Sequence, residues 1–393
     1  MNTILSLGFI LLVGLLFAKI IGKFKFPSVT AYLVIGIIIG PSIFNVISKN
    51  VTGMSGFIST VALSIIAFSI GQNFSRENFR QIGKTILWIS ILEACGAWLI
   101  VTFVFLVILH QPFYIAILFG AISSATAPAA TLMVIREYKA KGVFTNTLLG
   151  VVAIDDAWCL LIFSVSLAIS KAIHANLVAP SFLMQAFFAS ILGISGSFLL
   201  GGITAWCLSY LSRYIHTPAE LLTYTLGFIL LNSGIASAFN LSVLLANMVM
   251  GALLVNINKE PSKFFDSLHS VDSPIYLVFF VLAGASLEVN LLLKLGIMGI
   301  CYVIFRVAGK MLGAYAGGKI SGAPMAVRRY LGLGLVPQAG VALGAALVAK
   351  TDFPAVGGII ITTIVATTVV YELFGPFCTK IALEKAGDIE IGK

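Results

Sequence analysis

Runs of about twenty apolar residues follow one another from one end of this chain to the other, with no long polar segment between them. A helix of that length crosses a hydrocarbon core of roughly 30 Å. The sequence therefore reads as an all-α polytopic membrane protein, with no room for a soluble domain. Composition agrees: 59% of the residues are hydrophobic and 10% are charged, against about a quarter charged in a soluble domain.

Apolar runs and their breakers predict thirteen spans, at 3–22, 27–46, 54–72, 85–109, 113–135, 144–171, 183–210, 218–237, 239–256, 273–290, 292–318, 327–350 and 355–384. The first is a retained span. A signal peptide carries its basic residues before the apolar core, whereas Lys19, Lys23 and Lys25 come after it. The break "NSGIASAFN" between spans 8 and 9 is only mildly polar. Sorting the 24 basic residues by alternate loops puts 18 on one side and Lys49, Lys171, Lys294 and Lys350 on the other, with Arg306 and Lys310 inside a span. By the positive-inside rule the N-terminus is outside and the C-terminus cytoplasmic. The net charge of +9 is thus a topology signal, and no nucleic-acid partner is implied. The five cysteines lie singly in apolar runs without CxxC or Cys/His spacing, so they read as small core residues.

Ionisable groups inside the membrane cost about 3 kcal/mol or more each and mark function by default. Six fall at midspan: Glu93 in span 4, Asp155 and Asp156 in span 6, Arg306 and Lys310 in span 11, and Glu372 in span 13. Glu220, Glu288 and Asp352 fall near span ends, where interfacial charge is ordinary. Asp155 and Asp156 sit in "GVVAIDDAWCLLIF" with no basic residue within four positions. Adjacent helix positions point about 100° apart, so the pair faces one cavity from two sides. Two carboxylates in low dielectric repel when both ionise, which suits a site exchanging a proton for a cation. Arg306 and Lys310 are four residues apart on one helix face and require anionic partners. A buried lysine also sheds its proton readily, so Lys310 is a candidate coupling group as well as a salt-bridge partner. Glu93 and Glu372 read as supporting charges.

Two spans are interrupted. Pro128 lies in "SSATAPAATLMV" and Pro337 in "LGLVPQAGVALG". Proline removes a backbone donor and clashes with the preceding turn. Unwound backbone at that depth requires protein or a water-filled cavity beside it. The two breaks correspond if the chain divides into spans 1–6, a linker span 7 at 183–210, and spans 8–13. This gives inverted repeats over 1–171 and 218–384, with the interrupted spans marking a transport site. Thr126 beside the first break offers a hydroxyl oxygen, and small hard cations take oxygen ligands.

The stretches "SSATAPAATLMVIREYKAKGVFTNTLLGVVAIDDAWCLLIF" and "RVAGKMLG" resemble bacterial sodium/proton antiporters of the cation/proton antiporter superfamily, in the electrogenic two-aspartate branch (NapA- and NhaA-like). The resemblance implies an NhaA-like fold of thirteen helices with two crossed broken helices, a homodimer in the bacterial inner membrane, and a core subdomain at 85–171 and 292–384. It implies that Asp156 is the main cation and proton carboxylate. It further implies that Asp155 alternates between Lys310 and the ion, and that Thr126 is a ligand on a broken helix. No cofactor is implied beyond transported sodium (or lithium) and protons, and no nucleotide-binding domain. The expectation is a secondary-active sodium/proton antiporter and not an enzyme. A potassium/proton antiporter of the same fold is the alternative, since selectivity rests on cavity size. An ion channel or an intramembrane aspartyl enzyme fits less well, because an acid/base dyad requires carboxylates facing each other across a water, and neighbours on one helix do not.

Overall fold

A computed structural model of the chain describes residues 2–174, 180–215, 217–287, 291 and 296–389. Among them the regular structure is helical: α1 Thr3–Gly22, α2 Ser28–Ile39, α3 Lys49–Gly53, α4 Ser55–Gly71, α5 Arg76–Phe103, α6 Phe113–Ser123, α7 Pro128–Glu137, α8 Val143–His174, α9 Pro180–Leu211, α10 Pro218–Ala238, α11 Val243–Ile257, α12 Ser262–Ala285, α13 Gly296–Ser321, α14 Met325–Gly334, α15 Gly340–Asp352 and α16 Pro354–Ala386. Eight stretches of the described residues are long and apolar enough to cross a membrane, with α6 and α7 counted together as one (Phe113–Glu137), or nine if a bent pair within α12 is one span. Four shorter apolar helices accompany them: α2, α4, α11 and the Gly340–Lys350 stretch of α15.

Differences from the predicted spans have local causes. The run at 27–46 becomes the shorter α2, stopped by Gly40 and Pro41. The weak break after span 8 is sharp: Ser242 caps α11 by accepting from the backbone N–H of Leu245 at 3.2 Å. The run expected at 273–290 begins eleven residues earlier, at Ser262, because the first half of α12 carries Lys263, Asp266 and Asp272 and does not register as apolar. Its last expected residues, 288–290, and the first of the next span, 292–295, lie outside the described residues, as does Glu288. Of the other interfacial acids, Glu220 completes a capping box with Thr217 at the start of α10, and Asp352 pairs with Lys171 at 2.8 Å.

The chain forms two compact units, 1–81 with 192–286 and 82–191 with 287–393. In the first, helices approach through glycine: a Cβ on Gly40 would stand 2.8 Å from the Cα of Ala285. A buried polar chain also runs through this unit. Thr204 donates to Asn232 (3.1 Å), Asn232 to Asn247 (3.0 Å), Asn247 to Ser233 (2.8 Å) and Ser233 to Ser64 (2.8 Å). Interhelical hydrogen bonds of this kind add to van der Waals packing, since apolar burial gives little drive between helices in lipid.

The second unit holds α6 to α8 and α13 to α16. Its two interrupted spans are α6 with α7 and α14 with α15. Pro128 opens α7, where the missing N–H costs nothing, and it forces Ala127 into extended backbone (φ −87°, ψ 113°). The non-helical 335–339 around Pro337 separates α14 from α15. The two breaks meet, with the N–H of Ala127 donating to the carbonyl of Pro337 at 2.9 Å.

The far end of this unit ties the chain's C-terminal residues to the aspartate helix. Gly387 ends α16 in the left-handed region (φ 79°). This turns Asp388 back so that its Oδ2 accepts from both the N–H (2.8 Å) and the hydroxyl (2.7 Å) of Thr145 in the first turn of α8. The carboxylate acts as a helix cap supplied from distant sequence. Asp388→Ala is expected to cost about 1 kcal/mol, the usual worth of such a cap, read as a lower melting temperature in detergent.

Candidate functional site

The residues flanking the crossed breaks are the ends of four half-helices. The C-terminal ends of α6 and α14 leave carbonyls, and the starts of α7 and α15 leave N–H groups, without partners inside their own helices. Arg306 of α13 serves the carbonyls. Its Nε donates to Ser123 O (3.0 Å), its Nη1 to Val336 O (2.7 Å), and its Nη2 to Ala125 O (2.6 Å) and Pro337 O (3.5 Å). The Tyr371 ring lies 4.4 Å from the guanidinium carbon, in cation–π range. The expectation that Arg306 requires a carboxylate is therefore corrected. The negative ends of two helix dipoles supply its countercharge, and the planar fork with five donors suits carbonyls on both breaks.

Lys310, one turn further along α13, is fully buried and touches both broken-helix and carboxylate groups. Its Nζ donates to Ser124 O (2.6 Å), Thr126 Oγ1 (2.7 Å) and Glu93 Oε2 (2.7 Å), with Asp155 Oδ2 at 3.3 Å. Glu93 and Asp155 thus share one ammonium. Asp156, on the next position of α8, makes no ion pair in this cluster and retains 7% exposure, whereas Glu93, Asp155 and Lys310 have none. One oxygen of each carboxylate is buried without a hydrogen-bond donor: Glu93 Oε1, Asp155 Oδ1 and Asp156 Oδ1. Two carboxylates therefore share one lysine, a third adjoins them on α8, and all three have an unused acceptor oxygen. Thr126, expected as an ion ligand, turns its oxygen to Lys310. Pro128 and Pro337 flank the crossing. Glu372 is buried on α16, one turn before Gly375, which packs against Pro337, and it takes no part in the contacts of this cluster.

Residues 8–385 match the family of transmembrane sodium/hydrogen exchangers. This chain belongs to that exchanger family. Membership places it among secondary transporters rather than enzymes. A Methanocaldococcus jannaschii protein named "Probable Na(+)/H(+) antiporter 2" is 28% identical to this exchanger over 324 residues, 75% of this chain and 72% of that one. The Na(+)/H(+) antiporter NhaS4 of Synechocystis is 23% identical over 337 residues, 80% of each chain. The solved structure of the sodium proton antiporter MjNhaP1 from M. jannaschii at pH 8 covers 98% of this chain with a TM-score of 0.72 at 21% identity, and 96% of that chain is matched. The likeness extends the shared fold to the whole exchanger.

Some groups of the exchanger's site had no clear sequence signal. Gln338 donates to Ile122 O (2.9 Å) and to the Tyr302 hydroxyl (3.1 Å), joining the first break to the second. An amide next to a midspan proline was the available clue. The carbonyls of Ala125 and Val336 carry no side-chain signature at all. Ser123 and Ser124 do carry one, since their hydroxyls return to Gly120 O (2.6 Å) and Ala121 O (2.7 Å) and close the last turn of α6.

Proposed function

We propose that this chain is a secondary-active antiporter that moves sodium or lithium out of the cytoplasm in exchange for external protons by alternating access. Two protons for one cation would make the exchange electrogenic. The observation that carries the reading is the charge balance at the breaks, where Glu93 and Asp155 share the ammonium of Lys310 and Asp156, beside Asp155 on α8, has no ion pair. Surplus negative charge in a dry interior is costly unless countered. Protons or a small hard cation arriving from water can supply the missing charge. Asp156, the carboxylate with residual exposure and no ion pair, is the main carrier, with Asp155 beside it. The unpartnered carboxylate oxygens, backbone carbonyls at the breaks and water complete an oxygen-rich set of the kind such cations prefer. Thr126 orients Lys310 by accepting from its Nζ at 2.7 Å, and a hydroxyl oxygen has a second lone pair to offer. Family membership supports exchange, and the names of the relatives above supply sodium and protons as the cargo.

The same reading takes the chain as thirteen spans in two inverted repeats, 1–171 and 218–384, about linker 183–210, with the moving core at 85–171 and 292–384. It sits as a homodimer in the cytoplasmic membrane with its N-terminus outside. No nucleotide is required, because the proton gradient drives the cycle.

The deciding experiment uses proteoliposomes with an imposed pH gradient, to which sodium, lithium and potassium are added in turn under controlled voltage. Sodium and lithium are expected to collapse the gradient, faster when the voltage favours net charge movement. An equal response to potassium would make the chain a potassium/proton antiporter, and no response to any cation would defeat the reading. Apparent cation affinity is also expected to fall as pH drops. Cation binds the deprotonated carboxylates and so releases protons, and lower pH refills the same oxygens. An affinity flat across the active pH range would exclude this competition.

A further inference from the structure

We infer that Gln338 is a positioning residue that sets which cation the exchanger prefers, by fixing the spacing of the two interrupted spans beside the carboxylates. The inference rests on the antiport reading above. Among the described residues, hydrogen bonds join the two spans directly at three levels. Gln338 Nε2, from the second break, donates to Ile122 O in the last turn of α6 at 2.9 Å. Ala127 N–H, from the first break, donates to Pro337 O at 2.9 Å. Thr131 Oγ1, in the first turn of α7, donates to Gly334 O at the end of α14 at 3.2 Å. Numbering rises along one span as it falls along the other, so the bonds form a short antiparallel ladder. Gln338 and Thr131 are its outer rungs, and neither has any exposure.

The Gln338 rung is anchored on both sides. An amide nitrogen carries two N–H donors, and the second goes to the Tyr302 hydroxyl on α13 at 3.1 Å. The Tyr302 ring is held edge-on by Phe105, Phe119 and Tyr371, at centroid distances of 6.4, 6.1 and 6.4 Å, a favoured aromatic geometry. Its hydroxyl is therefore a fixed point for the amide. Arg306 gathers carbonyls of both spans onto α13, whereas Gln338 bonds one span to the other. The opposite rung is backed up, since Thr379 Oγ1 also approaches Gly334 O at 3.5 Å.

The consequence falls on the stretch between the first two rungs, from Ile122 to Ala127. It carries Ser124 O and Thr126 Oγ1, which lie 2.6 and 2.7 Å from Lys310 Nζ, and that nitrogen lies 3.3 Å from Asp155 Oδ2. Oxygens of the first break thus stand beside the carboxylates, and the ladder pins the stretch at both ends. Cations of equal charge differ at such a site in size. Oxygens held at a fixed spacing reject an ion that is too large, and oxygens free to move adapt to it. With the Gln338 rung removed, the Ile122 end backs away and the larger potassium ion is admitted more readily. Gln338 carries no charge, so its loss leaves the charge balance of the site as it was.

The test is the ratio of apparent affinities for lithium, sodium and potassium, read from cation-driven proton movement by the full-length protein in proteoliposomes at one pH. The parent is expected to prefer sodium and lithium to potassium. Gln338→Met keeps the unbranched stem and removes the donor. It is expected to lower the sodium-to-potassium ratio by about three- to tenfold, the equilibrium worth of one or two hydrogen bonds. Gln338→Asn, too short to reach Ile122 O, is expected to move the ratio the same way. A merely structural glutamine would lower melting temperature and rate but leave the ratio alone. Asp388→Ala, a loss of stability at the far end of the unit, is the control that keeps the parent's ratio. Should Gln338→Met fail to fold, Tyr302→Phe carries the test. It keeps the ring, removes the amide's anchor and is expected to shift the ratio in the same direction. An unchanged ratio in Gln338→Met, or in Tyr302→Phe where the first does not fold, overturns the assignment. So does a parent that treats the three cations alike or prefers potassium. A parent that exchanges no cation for protons defeats the antiport reading instead.

Discussion

Asp156→Asn reduces cation-driven proton movement to the level of protein-free vesicles, while the protein still inserts and elutes as a single species. An amide neither takes up a proton in this range nor offers a charged oxygen to a cation, so both halves of the exchange lose their main ligand. The fold survives because Asp156 makes no ion pair in the cluster, and its Oδ1 has no hydrogen-bond donor. Neutralising a buried charge that lacks a partner removes a desolvation penalty, so melting temperature holds or rises. Asp155→Asn differs in kind. Its carboxylate lies 3.3 Å from Lys310, so that variant loses one exchangeable proton site and retains a weakened exchange through Asp156. Measured side by side in proteoliposomes, the two variants rank the carboxylates. Substantial sodium-driven proton flux through Asp156→Asn would move the carrier role to another residue.

How far the sequence reached follows from the kind of interaction at stake. Spans were legible because hydrocarbon sorts residues by hydropathy alone. The start of α12 was not, because Lys263, Asp266 and Asp272 make its first half polar while it is still helical. The breaks were legible through Pro128 and Pro337, whose rings forbid the helix from either side. That the breaks touch, through Ala127 N–H and Pro337 O, was not, because backbone carries no identity in the sequence. The same limit explains Arg306. Charge counting assigned it a carboxylate, since a sequence displays anionic side chains and hides the partial charges at helix ends. Lys310 and Asp155 were singled out on charge, but the nearer partner, Glu93, belongs to a helix more than two hundred residues away. Only the glycine seam of α5 and α13, at Gly309 and Gly313, sets that contact.

Arg306→Ala is expected to give the largest loss of stability of any single change at the crossing, and transport fails with it. Ser123 O, Ala125 O and Val336 O each accept an N–H from Arg306. Pro337 O also accepts from Ala127 N–H, so it is partly spared. A buried acceptor deprived of its donor costs about 1–3 kcal/mol. Three of them amount to at least about 3 kcal/mol, before the lost packing on Tyr371 is counted. Water relieves some of this only if it reaches a site where Arg306 has no exposure. Arg306→Lys separates charge from geometry. It keeps the positive charge against both helix C-termini, but three donors radiating from one nitrogen do not span carbonyls on two breaks as the guanidinium fork does. Lysine is therefore expected to recover part of the melting temperature lost to alanine and little of the transport. If Arg306→Lys matches the parent in both, the charge alone holds the crossing and the fork is incidental. If Arg306→Ala melts with the parent, the carbonyls have found other donors and the crossing does not depend on Arg306.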